Sequence, residues 1–88
     1  MLNKTVAEVL SAADDSVTVI NDINTNGSSS EYIASGLSQD EINDIVQRNV
    51  DHLEIILAYT DPDVAGSSDD KSSYTSAITT GKAYIAAN

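Results

Sequence analysis

The chain has 88 residues, room for one domain with a small core, and sets fourteen acidic residues against four basic ones for a net charge of −10. That sign repels phosphate backbones and anionic membrane surfaces, which argues against direct binding to nucleic acid or to a membrane. The absence of cysteine removes disulfides, thiolate nucleophiles and zinc–thiolate sites together.

The first periodic segment runs over about 5–23. Thr5 and Glu8 have the spacing of a capping box, in which each side chain satisfies the other's backbone N–H. Val6, Leu10, Ala13, Val17 and Ile20 then follow at helical spacing and define one apolar stripe. Asp14, Asp15 and Ser16 are poor interior helix residues, and Val17 to Ile20 is β-branched throughout. A break near Asp15, or a short strand over 17–20, is therefore open. Asn24 to Ser30 reads as a stop signal and a loop, with Gly27 able to take the left-handed conformation that closes a helix. Glu31 to Ala34 is expected to form a helical turn that tucks Tyr32 and Ile33 onto the core.

The second segment, over about 39–60, has the clearest pattern. Ser38 and Glu41 form a capping box, and Leu37 and Ile42 are spaced for a hydrophobic staple. Ile42, Ile45, Val46, Asn49, Leu53, Ile56 and Leu57 trace a broad apolar face. Asn43, Asp44, Gln47, Arg48, Asp51 and Glu54 fill the other side, with Arg48 in reach of Asp44 and Asp51. Pro62 ends the helix by Thr60 or Asp61.

An acidic, Ser/Gly-containing loop over 61–70 leads to a third helix, over about 71–87, capped by Asp69, Asp70 or Ser72. Its apolar positions are Tyr74, Ala77, Ile78, Tyr84 and Ile85. Gly81 shares that face; it serves close helix approach or is a tolerated glycine. The expected fold is all-α: one domain over 1–88, a small bundle of about three helices with Ser-rich acidic loops. Nine Ile, seven Val and five Leu, with no Phe or Trp, make a thin core that gains from burial against a partner or a second copy.

Few residues suggest chemistry. His52 is the single histidine, so no second imidazole exists for a metal site, and no Gly-x-Ser-x-Gly turn presents a serine. A histidine at the rim of the apolar face is the expectation. The carboxylate pairs Asp14/Asp15, Asp61/Asp63 and Asp69/Asp70 read as caps and solvated charge rather than an acid–base site. Asp22, Asn24, Asn26 and Gly27 match the opening of a calcium-binding EF-hand loop, but Ser29 and Ile33 stand where an aliphatic residue and a bidentate glutamate are needed. The loop opened by Asp61 and Asp63 fails similarly, with Ala65 and Ser72 at ligand positions. No cofactor is expected.

The stretches 47–57 (Gln-Arg-Asn-Val-Asp-His-Leu-Glu-Ile-Ile-Leu) and 76–88 (Ser-Ala-Ile-Thr-Thr-Gly-Lys-Ala-Tyr-Ile-Ala-Ala-Asn) are similar to parts of small proteins of tailed bacteriophages, including marine ones. The resemblance covers about 24 residues of the C-terminal half and contains no functional motif. It implies a capsid decoration or cement protein, or a head–tail or tail accessory subunit.

The functional expectation is a non-enzymatic, multi-copy virion component that docks on a major capsid or other virion protein, with self-association open. No run nears the roughly 18 apolar residues of a membrane span and Met1 to Leu10 lacks a signal-peptide core, so assembly in the host cytoplasm is expected. Interface candidates are Val9, Val19, Ile55 and Tyr59, which sit off the main stripes, with Tyr32 and Tyr74 as anchors. One alternative is an acidic regulator, a DNA-mimic inhibitor or antitoxin-like partner, using Asp44, Asp51, Glu54 and the acidic loop. A calcium-binding helical module on Asp22, Asn24 and Asn26 is another.

Overall fold

The computed structural model describes residues 6–59 and 72–88, and the side chains of 11–58 and 72–88. Three helices make up the fold: α1 (Val6–Asn26), α2 (Gln39–Tyr59) and α3 (Ser72–Ala87), with a 3-10 turn at Gly27–Ser29. Among the described residues there is no strand, and no helix is long and apolar enough to cross a membrane. The Thr5/Glu8 cap, the stripe residues Val6 and Leu10, Pro62, and the acidic pairs at 61/63 and 69/70 lie outside the described structure or side chains.

Each helix packs against both of the others. Ser16 of α1 meets His52 of α2, and Asp14 and Ile20 of α1 lie against Tyr74 and Gly81 of α3. Gln39 meets Tyr84 while Val50 meets Gly81, so contacts between α2 and α3 run in opposite chain directions. The bundle is therefore up-down-up, with α1 and α3 parallel and α2 antiparallel to both.

The α1 helix is unbroken through Asp14, Asp15 and Ser16, and the residues with room for a strand are helical. Packing overrides propensity there. Ala13, Ile20 and Ile23 are fully buried on one stripe, and Val17 and Val19 pack against the core from its edges. Thr18 satisfies its hydroxyl locally by donating to the carbonyl of Asp14 (3.1 Å).

The helix also runs past the expected stop, through Asn24, Thr25 and Asn26, before Gly27 turns the chain at φ +57°. Its end is fastened by side chains. Asp22 accepts hydrogen bonds from Asn26 Nδ2 (2.7 Å) and from the hydroxyl of Ser30, and Ser30 Oγ accepts from the Tyr32 N–H (3.2 Å). These contacts hold the connection in turns over 31–36, where one helical turn was expected. Ile33 packs on the core as anticipated; Tyr32 stays exposed.

At the start of α2 the capping box is complete. The Ser38 N–H donates to Glu41 Oε1 (2.9 Å), the Glu41 N–H donates to Ser38 Oγ (3.2 Å), and the Ile42 N–H donates to the Ser38 carbonyl (3.0 Å). The Ser38 hydrogen bonds hold the Glu41 carboxyl below the ordinary glutamate range. Ile42, Val46, Val50, Leu53 and Ile56 are buried, with Ile45 and Leu57 at the margins. Val50 is a core residue that the stripe read from sequence omits.

Gly81 marks the closest approach in the bundle. A Cβ there would lie 2.5 Å from Val50 Cγ2, 3.2 Å from Val46 Cγ1 and 3.4 Å from Ile20 Cγ2, so the glycine belongs to the packing of all three helices.

Candidate functional site

Of the interface candidates, two are exposed large apolar residues: Ile55 on α2, at 55% relative exposure, and Tyr32 in the α1–α2 connection, at 43%. Partial desolvation, then the negative charges of Glu31 and Asp22, hold the Tyr32 hydroxyl protonated above the ordinary tyrosine range. The side chains of Val9 and Tyr59 lie outside the described ones.

Two candidates belong to the interior instead. Tyr74 is buried in the core, with its hydroxyl donating to Asp14 Oδ1 across 3.3 Å. A ring buried to that degree is no anchor for an outside partner. Val19 is half-buried and packs against the core.

The calcium ligands do not sit on a loop. Asp22, Asn24 and Asn26 are all on α1, where Asp22 and Asn26 face one another one turn apart and Asn24 projects from the opposite side. The Asp22 carboxylate is already taken up by Asn26 and Ser30. EF-hand coordination needs these residues to curl around an ion, which helical backbone prevents.

His52 is at the rim of the apolar face, as expected, but with a partner that spacing alone does not reveal. Its Nδ1 shares a 2.8 Å hydrogen bond with Ser16 Oγ across the α1–α2 interface. Which partner donates follows the imidazole tautomer. Ser16 is only 4% exposed, so its oxygen does not face solvent where an attacking serine would meet substrate. What the pair does is satisfy a buried hydroxyl and fix the register of α1 on α2.

The outer side of α2 is concave over its first half. A shallow cleft of about 290 Å³ is lined by Leu37, Glu41, Asp44, Ile45 and Arg48. Leu37 and Ile45 are half-buried and pack on the core, while Glu41, Asp44 and Arg48 are exposed. Arg48 does not form the pairs expected with Asp44 and Asp51; Asp51 accepts from Gln47 Nε2 instead (2.8 Å). Exposed pairs of this kind gain too little to immobilise a long side chain. Two turns beyond Arg48 on the same side lies Ile55, and beside it Glu54 Oε2 pairs with Lys82 Nζ at 2.9 Å.

No protein-family model, curated protein or solved structure matches the chain.

Proposed function

We propose that the chain is a non-enzymatic structural interaction protein, and more finely a multi-copy phage virion component of the decoration, cement or head–tail accessory kind. The observation that carries the docking role is Ile55, a large aliphatic residue left uncovered on a helix whose inner face is otherwise fully used. Covering the exposed half of that side chain against a partner recovers about half of what full burial brings, on the order of 1 kcal/mol. The likeness of 47–57 and 76–88 to small tailed-phage proteins supports the virion assignment, with a major capsid or other virion protein as partner. The thin core and acidic surface suit a subunit that attaches to a lattice without holding the packaged genome.

The test is incorporation. Mass spectrometry of purified particles from a culture producing the chain should find it at a fixed ratio to the major capsid protein. The Ile55→Asp chain should be made, helical and absent from particles. A chain made in the culture but missing from every particle removes the virion role.

A second reading, the acidic regulator, draws on the line of exposed carboxylates at Asp40, Asp44 and Asp51, which share one stripe of α2. Glu54 is spent on Lys82. Salt separates the two: a nucleic-acid mimic loses affinity steeply from low to moderate ionic strength, and apolar docking does not.

A further inference from the structure

We infer that the cleft of Leu37, Glu41, Asp44, Ile45 and Arg48 receives an aliphatic side chain from a cationic segment of a partner protein. This deepens the docking reading above by naming the partner's chemistry. The cleft, at about 290 Å³, sits at or below the lower end of small-molecule sites, which hold roughly 300–1,000 Å³, and suits one large side chain with its backbone. Its floor is apolar: Leu37 and Ile45 offer their half-buried surfaces. Its rim carries two exposed carboxylates, Glu41 and Asp44, against one exposed guanidinium, Arg48, on a chain of net charge −10.

That charge selects the occupant. A second copy would bring a like-charged surface to an acidic rim, whereas a lysine- or arginine-bearing segment meets complementary potential and is steered towards it. Glu41 uses Oε1 for the Ser38 cap, which leaves its other oxygen to face a cation. Arg48 makes no hydrogen bond or ion pair to any described residue, so its guanidinium can donate to main-chain carbonyls of a segment lying in the cleft. Ile55, two turns further along, extends the same surface.

The whole 88-residue chain, isotope-labelled, is titrated by NMR with an acetylated, amidated pentapeptide of alternating lysine and leucine. A matched peptide with serine in place of leucine serves as control. Saturable shifts should concentrate on the amides of 37–48, and the serine peptide should bind about fivefold or more weakly, as losing one buried aliphatic anchor implies. Asp44→Lys should weaken the leucine peptide by about fivefold, while the same charge reversal at exposed Asp15 changes it less than about twofold. Circular dichroism of both variants checks that they remain folded. Equal binding of both peptides, equal effects of both reversals, shifts scattered over all acidic positions, or no binding at millimolar peptide would each overturn the inference. If any of these occurs while Ile55→Asp still abolishes incorporation into particles, the docking role stands and only the partner chemistry assigned to the cleft is lost.

Discussion

On the inner side of α2, Val46, Val50 and Leu53 have no exposed surface, while on the outer side of the same helix Ile55 keeps more than half of its own. Both sides contain aliphatic residues, so composition does not separate them; only the angle at which each leaves the helix does. The inner positions are constrained by two other helices at once, most tightly where Gly81 meets Val50, Val46 and Ile20. Nothing described inside the chain constrains Ile55.

The sharpest way to break that contrast is at its centre. Leu53→Ala should cost about 3 kcal/mol by chemical denaturation, since a fully buried leucine leaves a cavity. A loss below about 1 kcal/mol would mean that the inner face is not core. Gly81→Val should cost about 2 kcal/mol by overpacking. Gly81→Ala should cost less, because alanine recovers about 1 kcal/mol of helix propensity against the clash with Val50. Combining Gly81→Ala with Val50→Ala should give a loss smaller than the sum of the single changes, as contacting residues do not add.

Between core and surface stands the capping box, where Ser38→Ala should cost about 1 kcal/mol. Its acid response follows from Glu41. Because the folded carboxyl titrates below its unfolded value, its contribution is complete above the unfolded value and fades as pH falls through the folded one. The Ser38 amide signal should move in that acid window and stay fixed at neutral pH. The smallest effect belongs to Ile55→Asp, which should leave the stability of the isolated chain within about 0.5 kcal/mol of wild type. A larger loss would make Ile55 part of the core and remove the contrast.

How far the sequence could be read depended on how local each interaction is. The start of α2 was legible because Ser38 and Glu41 bond each other within one turn. The end of α1 was not, because the Asn/Gly turn signal competes with a closure that runs from Asp22 to Ser30 across the turn. Tyr74 looked like an anchor because a tyrosine near a helix start shows its hydroxyl but not its partner, and that partner, Asp14, lies on another helix. Ser16 and His52 each looked unremarkable alone; their pairing depends on helix register, which a single segment's pattern does not carry. Val50 falls outside the seven-position stripe that spacing defines, because α2 touches two helices and needs a wider apolar arc.

The up-down-up course of the helices has a practical side. Gln39 and Tyr84 share one end of the bundle, so the exposed last turn of α3 sits far from Ile55, which lies about 24 Å along α2 from Gln39. With no native thiol in the chain, a cysteine at Ala87 would take a fluorophore at a unique position. A dye there would report from the same end of the bundle as the cleft of Leu37 and Glu41 while standing clear of Ile55 at the other.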